Sequence, residues 1–110
     1  MRARDCLKLK EFRAWLEAQD PVDVVGVVRD QCRGPLARFL TYRGISGVRV
    51  LTAIEEEWIG FSQGRLQYDF LPPWARKFSQ TINKGLSQGM PVTAEVALAV
   101  IRTGKLPEAV

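Results

Sequence analysis

Apolar and polar residues alternate along this chain with two different periods, helical at both ends and strand-like in the middle. Leu9, Phe12, Trp15 and Leu16 recur at helical spacing, with Lys8, Lys10, Glu11, Arg13 and Glu17 on the other side, which predicts an amphipathic helix. Its end is expected at Gln19, because the residue before Pro21 is disfavoured in helical geometry. Asp20 is placed to cap a new short turn, with Pro21 at its first position and Asp23 close to the positive end of its dipole. The run Val24-Val25-Gly26-Val27-Val28 reads two ways: β-branched residues favour a strand, and the cap in front favours a helical turn. Either way it is short and mostly buried. Gly34-Pro35 starts a further helix in which Leu36, Phe39, Leu40 and Arg43 share a face before Gly44 ends it.

The period then drops to two. Val48, Val50, Thr52 and Ile54 alternate with Arg49, Leu51 and Ala53 as a strand does. Trp58-Ile59-Gly60-Phe61 and Arg65 to Leu71 flank Ser62-Gln63-Gly64, three residues that suit a hairpin connection, and Leu66, Tyr68 and Phe70 would share one face. Helical spacing returns after Pro72-Pro73 with Trp74, Phe78 and Ile82, closed by Gly85. A last helix is expected over Ala94 to Arg102, with Thr93 as its N-cap and Gly104 as its stop. The expected architecture is α+β: a small antiparallel meander of about three strands flanked by N-terminal and C-terminal helices, packed on one sheet face as a single domain over residues 1–110.

Composition narrows the class. With 46% hydrophobic and 25% charged residues the chain falls among globular proteins, and at 110 residues it supports one core. The longest apolar run, Val96 to Ile101, is far too short to cross a bilayer, and Met1 to Phe12 holds no apolar stretch of the kind a signal peptide needs. The expectation is therefore a cytoplasmic protein with no membrane partner, in which Cys6 and Cys32 remain thiols. The net charge of +4 is unevenly spread: residues 1–47 carry +3, residues 48–71 carry −2 and residues 72–110 carry +3. Basic flanks around an acidic middle are compatible with a polyanion patch and fall short of a polybasic tail.

Candidate chemistry is sparse. There is no histidine, which removes the commonest general base and zinc ligand, and two cysteines do not complete a structural zinc site, so no metal and no cofactor is expected. Neither phosphate-binding glycine motif occurs. Cys32 stands six positions before Arg38, the C-x5-R spacing of cysteine-dependent phosphatases. In such a site, backbone N–H groups bind phosphate and an arginine fork holds the oxyanion. Against it, Pro35 removes an N–H from the cradle and Gly34-Pro35 starts the helix too early to leave a full loop. Cys32 therefore reads as an inert, partly buried thiol. Glu55-Glu56-Glu57 reads as a solvated turn, since consecutive residues on a strand or tight turn point to different sides. Asp20 and Asp23 read as turn-starting residues and not as an acid/base pair. No residue set marks an enzyme.

Two basic surfaces remain. Arg29, Arg33, Arg38 and Arg43 lie within fifteen residues with Asp30 as the one acid among them, and Lys77, Gln80 and Lys84 form a stripe away from Trp74 and Phe78. Tyr42, Phe61, Tyr68 and Trp74 could stack on bases but fit the core periodicity better. The last helix is the most unusual element: Glu95 and Arg102 share one narrow polar stripe and the rest of the circumference is apolar. If Ala94, Leu98 and Ile101 pack on the sheet, Val96 and Val100 face elsewhere as an interface patch. The leading expectation is a non-catalytic protein-interaction module that self-associates through this helix, a homodimer in its simplest form. The alternative is a nucleic-acid-binding protein that uses the arginine cluster and the Lys77/Lys84 stripe.

Overall fold

The computed structural model describes residues 3–45, 47–52, 57–62 and 66–107. They form a mixed α+β structure in the order α1 (Ala3–Cys6), α2 (Leu9–Glu17), β1 (Val24–Val27), α3 (Pro35–Tyr42), β2 (Arg49–Thr52), β3 (Glu57–Ser62), β4 (Leu66–Phe70), α4 (Pro73–Gly85), β5 (Pro91–Thr93) and α5 (Ala94–Thr103). The expected turn Ser62-Gln63-Gly64, the strand end at Ile54 and the acidic pair Glu55-Glu56 fall wholly or partly outside the described residues.

The ambiguous valine run is a strand, and its partner lies far along the chain. β1 pairs antiparallel with β5, Val24 opposite Thr93 and Val27 opposite Pro91, with an irregularity between Val24 and Gly26. Asp20 does cap a turn, its carboxylate accepting from the Val22 N–H at 3.2 Å, but the chain leaves that turn extended. The Val28 N–H donates to Met90 O and the Gly89 N–H to Val28 O, closing the ribbon at its far end. Along the other edge of β1, the Val27 N–H donates to Arg33 O. Pro35 packs so closely over Gly26 that any side chain there would run into the proline's ring and nitrogen. The tertiary contact, and not the strand itself, requires the glycine.

Between α3 and α4, β2 runs antiparallel to β3, with Val50 opposite Ile59, and β3 runs antiparallel to β4, with Gly60 opposite Tyr68. The Val50 N–H donates to Gln31 O at 2.8 Å, tying β2 to the loop that precedes α3.

Phe12 and Leu16 of α2, Leu36, Phe39 and Leu40 of α3, Phe78 and Ile82 of α4, Val25 and Val92 of the ribbon, and Ala97 and Val100 of α5 belong to one buried cluster. Phe12 is its centre: its ring lies 5.9 Å from Trp15, 5.3 Å from Phe39, 5.5 Å from Trp74 and 5.2 Å from Phe78, two of these edge-on as the ring quadrupole favours. Phe39, Phe78 and Ile82 are buried as expected. Trp15 is only half-buried, because α2 turns it toward Tyr42 at the margin of the aromatic cluster.

The caps of α5 explain how the ribbon and the last helix are joined. Its first three amides are all satisfied: Ala94 donates to Asp23 O, Glu95 to Pro21 O and Val96 to the Thr93 hydroxyl. Gly104 ends it in the left-handed conformation, φ 74°. Among the described residues no helix is long and apolar enough to cross a membrane.

Candidate functional site

Three of the six basic residues singled out from the sequence are engaged by the protein itself. Arg29 sits at φ 58°, left-handed for a non-glycine residue, and this turns its guanidinium back onto the end of α4. Nε and one terminal nitrogen both donate to Asn83 O, at 3.1 and 2.7 Å, so the fork satisfies a carbonyl of the last helical turn. Arg38, on the exposed side of α3, donates to Val24 O at 2.9 Å and ties that helix to β1. Arg43 follows the last residue of α3 and reaches Glu11 on α2 at 3.5 Å, an ion pair about two-fifths exposed on each side. Arg33 is exposed, and its side chain has no hydrogen bond or ion pair among the described residues.

The lysines diverge. Lys84 is exposed in the last turn of α4, where its charge opposes the negative end of the helix dipole. Lys77 is exposed and its ammonium end lies against Gly104, at the C-terminus of α5. Gln80 is half-buried between them.

The C-x5-R segment is not arranged as an anion cradle. The Asp30 carboxylate accepts from the Cys32 N–H at 3.0 Å and from the Arg33 N–H at 2.9 Å, so an acidic side chain of the protein occupies the amides a phosphate would use. Arg38 points to Val24 O. Cys32 is exposed where partial burial was expected, because the loop carrying it folds around Asp30 and away from the core; Cys6 is the buried cysteine. Tyr42 is a second correction: at 68% exposure it is outside the core, since it is the last residue of α3 and lies at the rim of the Trp15–Phe39 contact. The side chains of Phe61 and Tyr68 lie outside the described residues. No cluster of three or more metal-ligating side chains occurs among the described residues.

The expected interface on α5 must be redrawn. Val100 is 3% exposed and belongs to the core with Ala94 and Ala97, while Val96, Leu98 and Ile101 are half-buried. Because almost the whole circumference is apolar, periodicity did not fix the helix phase. The caps from Pro21 and Asp23 fix it, and they turn Ala97 and Val100 inward. Of the proposed pair, Val96 keeps an outward component and Val100 has none.

A surface that the sequence did not single out lies along the outer side of α5. Leu9, 41% exposed at the start of α2, and Ile101 line a groove of ≈ 540 Å³ between α2 and α5 together with Lys10, Arg13 and Arg102. The same Leu9, Ile101 and Arg102 border a groove of ≈ 290 Å³ toward α4, floored by Trp74, Phe78 and Val100 and edged by Lys77. The Trp74 indole N–H donates to Leu7 O at 3.2 Å, which holds the ring in place at the groove's side. No single helix shows such a groove in its pattern, because its lining is shared among α2, α4 and α5. Comparison of the chain with protein-family models, with curated proteins and with solved structures finds no match.

Proposed function

We propose that this protein is a non-catalytic protein-interaction module, a single domain in which β2, β3 and β4 make up a meander of about three strands, and that its contact face runs along the outer side of α5. The observation that carries this reading is the groove in which Leu9 and Ile101 lie partly open to solvent between three helices with charged residues at the edges. Apolar side chains gathered in a concave, polar-rimmed surface favour a polypeptide that can cover them. A second copy of the same chain is the simplest partner by symmetry. The charge around the face favours a different one.

The alternative, nucleic-acid binding through Arg29, Arg33, Arg38, Arg43, Lys77 and Lys84, is the weaker reading. Arg29, Arg38 and Arg43 would have to exchange protein partners for phosphates, and their release would uncap α4 and untie α3.

A photoreactive amino acid in place of Leu9 or Ile101, in the full chain expressed in its native cells, tests the reading. A discrete protein adduct from either position, absent when the probe replaces the exposed Gln88, is the expected result. No adduct above the Gln88 background would overturn it, and co-purifying nucleic acid that is released by a high-salt wash would favour the alternative.

A further inference from the structure

We propose that the groove between α2, α4 and α5 docks an acidic amphipathic segment of another protein; the inference rests on the interaction reading and names the chemistry of its partner. The floor is apolar: Leu9, Trp74 and Ile101 are partly open, and Phe78 and Val100 close it from beneath. The rim is cationic on each of the three helices, with Lys10 and Arg13 on α2, Lys77 on α4 and Arg102 on α5. One acid stands among these cations. Glu17 takes Arg13 at 3.2 Å and Arg102 at 3.7 Å, and these three side chains are about half exposed. The side-chain ammonium groups of Lys10 and Lys77 make no hydrogen bond or ion pair among the described residues, so the rim keeps an unbalanced positive charge on either side of the apolar floor.

Two properties of an occupant follow from that layout. It must bring apolar area to cover Leu9 and Ile101, and it must bring negative charge to both edges. A second copy docked by a two-fold axis would supply the apolar area but set the same cations against themselves. A nucleic-acid backbone supplies the charge and leaves the aliphatic floor uncovered, and Trp74, packed at 5.5 Å from Phe12 and hydrogen-bonded to Leu7 O, is not a free stacking platform. An amphipathic segment with carboxylates flanking an apolar stripe satisfies both, in the manner of a helix laid in a groove.

Two synthetic peptides of about eighteen residues, roughly five helical turns, make the test: both carry leucine at i, i+3, i+4 and i+7, and glutamate at the other positions of one is replaced by lysine in its twin. Binding to the full chain is read by fluorescence anisotropy. The glutamate peptide should bind at least about tenfold more tightly than the lysine twin, and Lys10→Glu/Lys77→Glu should abolish or reverse that preference. A reversed preference also shows that the variant is folded; circular dichroism of the double variant checks this if affinity is simply lost. Ile101→Ser should weaken the glutamate peptide without altering the preference. Equal binding of the twins, no binding of either, a preference untouched by the double substitution, or displacement of the glutamate peptide by oligothymidylate at lower concentration would each overturn the proposal. Adducts at Leu9 or Ile101 with no charge preference would remove the acidic partner and leave the interaction module standing, and a charge preference without adducts would do the reverse.

Discussion

Replacing Arg29 separates two contributions that the structure sets against each other. The guanidinium donates twice to Asn83 O, while its backbone occupies a left-handed conformation that disfavours any residue with a Cβ. A hydrogen bond from a charged donor contributes about 1.5–3 kcal/mol when well formed, and an exposed side chain such as this one retains only part of that, so the fork stabilises by roughly 1–2 kcal/mol. Arg29→Ala loses this and keeps the backbone strain. Arg29→Gly loses it too, but relieves strain of about 1–2 kcal/mol at an entropic cost of about 0.5–1 kcal/mol, so it should be about 0.5–1 kcal/mol less harmful than alanine. Urea unfolding followed by tryptophan fluorescence reads both, since Trp15 and Trp74 belong to the aromatic cluster. With a slope of about 1.5 kcal/mol per molar, the midpoint should fall by roughly 1 M for Arg29→Ala and by about half that for Arg29→Gly. An alanine variant within about 0.5 kcal/mol of wild type would mean that the fork is not holding α4 and that Arg29 is available to a ligand. A glycine variant less stable than the alanine one would refute the strain argument.

Phe12→Ala should cost about 3–5 kcal/mol in the same titration, because four rings lose their common neighbour; a loss below about 1 kcal/mol would show that the aromatic cluster repacks without it. Val100→Glu should abolish cooperative unfolding, because it buries a carboxylate against Ala97 and Phe78; a variant that stays folded and merely changes its association state would return Val100 to the surface. A thiol reagent applied to the native protein should modify Cys32 rapidly and Cys6 only after denaturation, which mass spectrometry resolves by tryptic peptide; equal rates in the native state would contradict their difference in burial.

What could be read from the sequence depends on how local each signal is. Trp74, Phe78 and Ile82 define α4 because four-residue spacing and a leading Pro-Pro are written within one segment, and Thr93 and Gly104 bracket α5 for the same reason. The ribbon was illegible: β5 is three residues long, begins with proline, and pairs with a strand more than sixty residues away, so no periodicity reports it. The valine run was ambiguous until its partner was known. Arginine spacing suggested a polyanion surface, but whether a guanidinium faces solvent is decided by carbonyls elsewhere, Asn83 for Arg29 and Val24 for Arg38. The groove escaped for a related reason, since Leu9, Lys77 and Ile101 meet only after three helices have packed.

The ribbon also orders events in time. Asp23 and Pro21 cap α5, Arg29 caps α4, and Val24 pairs with Thr93, so an N-terminal turn receives its partners only from the last quarter of the chain. During synthesis at about 5–20 residues per second, α2 and α3 emerge with their apolar faces well before Val92, Ala97 and Val100 exist to cover them. The closing contacts are among the most non-local in the fold, and loop closure over that span must precede the gain from burial. Until α5 has formed, the core built by the helices before it stays open on the side that Ala97 and Val100 fill.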